Sequence, residues 1–198
     1  MRIITGALKG RVVPFDNQAF GNAATTSGRA KEAAFTMMGA DLSGLSFLDL
    51  FACSGQIGLE AFSRGAEVLM CETERHRYEF IASIIQKWDL GDRICVHHGS
   101  AEKLLLSLST EGTVFDIIFL DPPYHVQVDD RPLVEKVFSE LDQSTILSND
   151  TTVMVQHAHS VVLPRSGQNL VMVKRKQYGD TVFSAYKPSS KYDLDFNR

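Results

Sequence analysis

The run FDIIFLDPPYH, Phe115 to His125, carries the sharpest chemistry in the chain. A hydrophobic strand there ends in Asp121-Pro122-Pro123-Tyr124. An exocyclic amine on a nucleobase is a poor nucleophile, because its lone pair is delocalised into the ring. Asp121 offers a carboxylate to one amine hydrogen, and the Pro122 carbonyl can take the other. Pro122 and Pro123 have no N–H, so the segment presents acceptors without competing backbone donors, and its φ is fixed. Tyr124 adds an aromatic face on which a base can stack. Acceptors held toward the charge developing on nitrogen are preorganised electrostatics. Holding the amine in line with a methyl group adds proximity.

A second station lies upstream in LDLFACSGQIGLEA, Leu48 to Ala61. It reads as a buried strand, a tight turn and a helix. The glycine pattern of a nucleotide-binding turn is G-x-G-x-x-G. Gly55 and Gly58 fill its second and third positions, and Cys53 stands at the first. Ala52, Ser54 and Gly55 are small enough for backbone to approach a ligand. Asp49 can order the loop or act on a ligand's amino group. A side chain at the first position is tolerable provided its φ is negative. The next strand ends in VLMCETE, with Glu72 and Thr73 at its tip. An acid about twenty residues past the loop is placed to accept both ribose hydroxyls of a nucleoside. After the third strand, Ser100 and Ala101 offer a hydroxyl and backbone to an adenine edge, although serine is also an ordinary helix N-cap. His97, His98, His157 and His159 lack any metal-ligand spacing, so no metal site is expected. The 157/159 pair is placed at the end of the fifth strand, near a substrate face or in solvent.

These stations need a scaffold. Predicted strands are Ser46–Phe51, Val68–Glu72, Ile94–Val96, Phe115–Leu120 and Thr151–Gln156. Predicted helices lie at Gly28–Met38, Ile57–Arg64, Glu74–Trp88, Ala101–Leu108 and Pro132–Leu141. The start of the third of these, ETERHRYE, reads as a solvated face. Several strands are continuous apolar runs, which marks a mainly parallel sheet covered on both faces. Leu170–Lys176 and Thr181–Tyr186 flank a short turn with Gly179 and Asp180, so the sheet is expected to end in an antiparallel hairpin. That outline is a three-layer α/β/α, Rossmann-like sheet of the class I methyltransferase type. Arg2–Ile4 and Arg11–Val13 read as a small N-terminal hairpin, followed by a linker over Phe15–Thr26. The expected division is an extension over 1–26 and a catalytic domain over 27–198.

Composition is ordinary for a globular chain of 198 residues, with 44% hydrophobic and 22% charged residues, which argues against general disorder. No apolar run suggests a membrane span, and the N-terminus lacks a signal-peptide core. Three cysteines without C-x-x-C spacing read as reduced thiols of a cytoplasmic protein. The net charge of −4 is uneven. Arg2, Lys9, Arg11, Arg29 and Lys31 make the first forty residues basic, and Arg165, Lys174, Arg175, Lys176, Lys187, Lys191 and Arg198 make residues 151–198 basic. Basic ends on an acidic body suit a polyanion or are ordinary solvated charges; charge alone leaves both open.

The quoted motifs resemble those of the RsmD family of small-subunit ribosomal RNA guanine-N2 methyltransferases. RIITGALKGR is similar to that family's opening hairpin and RAKEAAF to its first helix. LDLFACSGQIGLEAFSRGA is similar to its cofactor loop, FDIIFLDPPY to its catalytic strand and KQYGDTVFSAY to its closing hairpin. The resemblance implies S-adenosylmethionine as methyl donor and a guanine N2 in 16S rRNA as acceptor. It also implies a partly assembled small subunit as substrate and favours a monomer. By the same implication, Glu72 binds the ribose, and the loop from Phe51 to Gly58 surrounds the methionine part. Asp121, Pro122, Pro123 and Tyr124 then hold the guanine. Arg2, Lys9, Arg11, Arg29 and Lys31 contact RNA, mostly at phosphates. Three departures cluster around the cofactor site. Ala24-Thr25-Thr26-Ser27-Gly28-Arg29 stands where the family shows R-P-T-x-D-R, Ser100 replaces an acid, and Cys53 replaces a glycine. The alternatives are an adenine-N6 methyltransferase on DNA or RNA, and a ribosome-assembly RNA-binding protein with a weakened cofactor pocket. A nicotinamide dehydrogenase would leave the D-P-P-Y run without a purpose.

Overall fold

The structure, a computed structural model, describes residues 1–20 and 26–191. The linker residues 21–25, and with them Ala24 and Thr25 of the departing stretch, lie outside the described residues. The chain divides into two compact units, Met1–Ala101 and Glu102–Arg198. The seven strands of the main sheet are mostly parallel, as the apolar runs predict.

The first unit contains α1 (Gly28–Met38), β1 (Ser46–Asp49), α2 (Gln56–Ser63), β2 (Glu67–Glu72), α3 (Arg75–Lys87) and β3 (Ile94–His98). β2 lies between β1 and β3, parallel to both. Phe47, Leu48 and Met70 are fully buried, so these strands form the unit's core. Ser27 caps α1 by accepting the Ala30 N–H at 3.2 Å, and Glu74 caps α3 by accepting from His76 and Arg77. β1 ends two residues earlier than its apolar run predicts. The Phe51 N–H turns to the Asp49 carboxylate at 3.2 Å, which starts the loop.

The N-terminal segment closes on itself through a single antiparallel bridge, Arg2 to Val12. The Ile3 N–H donates to the Arg11 carbonyl at 2.9 Å. It belongs to the first unit and is fastened to α2. The Ile4 and Thr5 N–H groups donate to the Glu60 carboxylate at 2.8 and 3.1 Å, and the Leu8 N–H to Ser63 Oγ at 2.9 Å. Ile3, Leu8 and Val13 are buried beneath it.

The second unit holds most of α4 (Ala101–Glu111), then β4 (Phe115–Leu120), α5 (Leu133–Asp142), β7 (Leu147–Ala158), β8 (Leu170–Tyr178) and β9 (Thr181–Pro188). β4 and β7 are parallel; β7 and β8 each pair with β9 antiparallel, giving the expected closing hairpin. Between β4 and α5 sits a hairpin that the sequence pattern does not reveal, β5 (Gln127–Val128) with β6 (Arg131–Pro132). Its turn residues, Asp129 and Asp130, have φ of 52° and 60°. A type I′ hairpin turn needs positive φ at both central positions, and aspartate adopts it without the glycine that would have signalled it.

Candidate active site

In the first unit the loop after β1 is stitched to β2. The Ala52 N–H donates to the Cys71 carbonyl at 2.9 Å, and the Cys53 N–H donates to Glu72 Oε2 at 2.8 Å. Glu72 is 5% exposed at the tip of β2. Its other oxygen, Oε1, accepts from the Glu74 N–H at 2.8 Å and from Arg77 Nε and Nη2 at 3.1 and 2.9 Å. Oε2 therefore keeps a lone pair with no donor among the described residues. Arg77 is missed by the reading of the α3 start as a solvated face. That reading holds for Arg75 and Glu79, which pair in solvent. Burial alone would lower the Arg77 pKa, but the Glu72 carboxylate outweighs it and raises it.

Gly55 adopts φ 73°, and a Cβ there would meet Ile81 at 3.2 Å. A Cβ on Gly58 would fall 2.4 Å from Met70 Sδ, so glycine is what lets α2 lie on β2. Cys53 has φ 51°. The condition that this position keep a negative φ is therefore not met. Its N–H donates to Glu72, and the residue sits in the left-handed region where a Cβ is strained. Asp49, 1% exposed, orders the loop through Phe51. Ser54 Oγ is buried with no hydrogen-bond partner among the described residues. Thr73 is exposed beside Glu72. The Gly99 N–H donates to the Glu72 carbonyl at 3.1 Å, which places Ser100 and buried Ala101 beside the acid.

In the second unit β4 ends at Leu120, and the D-P-P-Y run follows with Pro122 buried and Tyr124 42% exposed. Gln156 Nε2 donates to the Tyr124 hydroxyl at 3.3 Å, and that hydroxyl donates to Thr181 Oγ1 at 3.5 Å. Burial and the nearby Asp121 raise the Tyr124 pKa, so the ring stays a neutral phenol. Gln156 Oε1 is buried with no partner among the described residues. Pro122, Pro123 and Tyr124 line a small, mainly apolar cleft with Leu133, Ala158 and Val161. Sequence reasoning missed Gln156 and Thr181; the one available signal was a glutamine closing the apolar run VMVQ.

Two expectations need correction. Lys31 is 1% exposed, and its ammonium lies 3.0 Å from Glu60 and 2.8 Å from the Arg2 carbonyl. It fastens the N-terminal segment and is not a surface contact for RNA. Burial lowers its pKa against the opposing pull of Glu60. Lys9, Arg11 and Arg29 are exposed, and Arg11 stacks over Trp88 at 5.2 Å. Arg2 is exposed and donates to the Gly10 carbonyl at 2.9 Å. His157 is not in solvent. It is 1% exposed, bonded to Ser184 Oγ and the Ala158 carbonyl at 2.9 Å each, and burial lowers its pKa. His159 is exposed, 3.6 Å from Asp180. No cluster of residues suited to a metal ion occurs among the described residues, and none of their helices is long and apolar enough to cross a membrane.

A mostly parallel sheet with an acid at the second strand tip, a glycine turn after the first and D-P-P-Y after the fourth has the class I methyltransferase architecture. The family model described as "Conserved hypothetical protein 95" matches residues 1–187, and the chain belongs to that family, the RsmD family of the motif resemblance. The Bacillus subtilis protein named "Putative rRNA methyltransferase YlbH" is 32% identical, covering 94% of this chain and 98% of its own length. Ribosomal RNA small subunit methyltransferase D of Escherichia coli is 25% identical over 98% of this chain and 93% of its own. The solved structure titled "Putative methyltransferase yhhF from Escherichia coli" superimposes with a TM-score of 0.78 at 26% identity, covering 95% of this chain and 97% of that one.

Proposed function

We propose that the chain transfers a methyl group from S-adenosylmethionine to the N2 amine of a guanine in 16S ribosomal RNA, with a partly assembled small subunit as its natural substrate. The observation that carries the reading is the D-P-P-Y run at the end of β4, with Tyr124 tethered from behind by Gln156 and Thr181. The names of the relatives support ribosomal RNA as the substrate class.

The first unit's residues fit a nucleoside cofactor. Glu72 Oε2 has a lone pair for a ribose hydroxyl, buried Ser54 Oγ has no hydrogen-bond partner among the described residues, and Gly55 takes the left-handed φ that the turn requires. Asp49, Phe51, Ala52 and Gly58 shape the loop, and Thr73, Ser100 and Ala101 flank the nucleoside side. When bound, S-adenosylmethionine supplies an electrophilic methyl group on sulfur. Asp121 accepts one amine hydrogen and the Pro122 carbonyl the other, while Tyr124 stacks on the base. Pro123 keeps the run rigid. The hydrogen bonds at the Tyr124 hydroxyl hold the tip of the ring in place, so the side chain is positioned before the base arrives. Lys9, Arg11, Arg29 and Arg2 supply phosphate contacts.

Asp121→Ala is expected to lower turnover on 16S rRNA by about two to three orders of magnitude, as loss of one preorganised acceptor does, with cofactor affinity within about twofold. Methylation at the normal rate by that variant would remove Asp121 from its role. A base-resolved map of the product separates guanine N2 from adenine N6. A second reading rests on the left-handed Cys53, which suits an RNA-binding assembly protein with a weakened cofactor loop. Calorimetry with S-adenosylmethionine decides between them, and no detectable binding favours the second.

A further inference from the structure

Beyond the cationic N-terminal segment, β8 carries Lys174, Arg175 and Lys176 in succession, all exposed. β8 is the terminal strand of the sheet order. Paired residues on neighbouring strands share a face, and successive residues alternate. Gln156 pairs with Phe183, which pairs with Lys176. Ala158 pairs with Thr181, which pairs with Tyr178. Met154 pairs with Ala185, which pairs with Lys174. Lys174, Lys176 and Tyr178 thus stand on the face that holds Gln156 and Thr181, the two residues bonded to Tyr124. Two strand spacings separate the Gln156 and Lys176 backbones, roughly 10 Å. Arg175 pairs with Ser184 on the opposite face, the side of His157.

This placement depends on an irregularity. The ladder shifts register between Met172 and Lys174, with Met172 opposite Tyr186 but Lys174 opposite Ala185. In an unshifted ladder Lys174 would pair with Ser184 and share the face of Met172 and Tyr186. A bulge that re-aims one side chain beside a functional residue is a recurrent device. Cations on an edge strand also deter edge pairing, but that purpose is indifferent to the face on which they stand.

We propose that β8 is an RNA-backbone track, in which Lys174 and Lys176 bind phosphates flanking the base that stacks on Tyr124. The proposal rests on the ribosomal RNA reading and adds to it a contact surface on the second unit. Phosphate recognition by lysine is a point-charge contact, so it contributes affinity and salt dependence and no base preference.

The test is binding of the full chain to a 16S rRNA fragment over a series of salt concentrations, with S-adenosylmethionine affinity measured alongside. K174Q/K176Q is expected to weaken RNA binding about tenfold at low salt and to reduce the slope of log K against log salt by about 1.5. Cofactor affinity and thermal midpoint are expected to stay as they were, since both side chains are exposed. R175Q, on the other face, is expected to change the slope much less. An unchanged slope in K174Q/K176Q, or an equal change in R175Q, overturns the track while leaving the ribosomal RNA reading intact. Normal binding to naked RNA with loss only on assembled subunits would assign the strand to a protein partner and also overturns it. If the unsubstituted chain bound neither the 16S rRNA fragment nor assembled subunits, both readings would fall together.

Discussion

Two buried glutamates in the first unit have nearly the same chemistry and opposite consequences. Glu60 on α2 is 0% exposed, and Glu72 at the tip of β2 is 5% exposed. Each accepts two backbone N–H groups, and each faces arginine. Glu60 Oε1 takes Thr5 N–H and the Arg64 guanidinium, while Oε2 takes Ile4 N–H and the Lys31 ammonium. Both oxygens are filled. Glu72 has one oxygen equally crowded by Glu74 N–H and Arg77, but among the described residues Oε2 carries only the Cys53 N–H. A saturated carboxylate can only hold structure together. A carboxylate with one lone pair left over, at the edge of a glycine turn, can also hold a ligand. Burial alone does not tell these roles apart; the hydrogen-bond count does.

The largest way to break the comparison is Glu60→Ala. It leaves Lys31 and Arg64 buried without their counter-charge and is expected to destabilise the chain by about 3–5 kcal/mol, as for other broken buried pairs. Denaturant melts measure it, and any cofactor affinity lost should follow the unfolded fraction alone. Glu72→Gln is the converse. We expect S-adenosylmethionine binding to weaken by about 30- to 100-fold, as when a charged hydrogen-bond acceptor is lost, with a smaller stability change than in Glu60→Ala. A Glu72→Gln chain that binds the cofactor normally would leave the two glutamates functionally alike.

Arg77→Met sharpens the distinction further. Glu72 would keep its two backbone donors and lose its lateral clamp, so affinity is expected to fall on the order of tenfold. Calorimetry on the variant reads this directly, and an unchanged Kd would make Arg77 a bystander. Cys53→Gly is the smallest. Relief of the left-handed backbone is expected to raise stability by about 0.5–1 kcal/mol, with little change in affinity, because the N–H that reaches Glu72 is backbone. A large gain in cofactor affinity would mean that the cysteine side chain, and not only its strain, obstructs the loop.

The D-P-P-Y run and the acid Glu72, the proposed base and cofactor contacts, are both legible in the amino-acid sequence. Each sits at the end of an apolar strand, where an open sheet places its ligands. Ser100 is legible in the same way, as a polar residue after a strand. The N-terminal cations are legible only as charges. Lys31 groups with Arg2, Lys9, Arg11 and Arg29 in sequence because nothing in RAKEAAF distinguishes a lysine facing α2 from one facing solvent. Its partner Glu60 lies in another element, within a run whose glycines are the conspicuous feature. Gln156 and Thr181 are illegible for a related reason, since their common contact, Tyr124, comes from a third element.

The sequence alone determined the alternation of strands and helices, the glycine turn with Cys53 at its head, Glu72 at one strand tip and D-P-P-Y at another. Those features depend on periodicity and on turn chemistry, which act over a few residues. Tertiary structure decided the rest: that Cys53 takes a left-handed φ while its amide donates to Glu72, that among the described residues Glu60 is saturated and Glu72 is not, and that a bulge in β8 turns Lys174 toward the face that steadies Tyr124. Each of these depends on which distant segments pair, and pairing is set by how the elements pack.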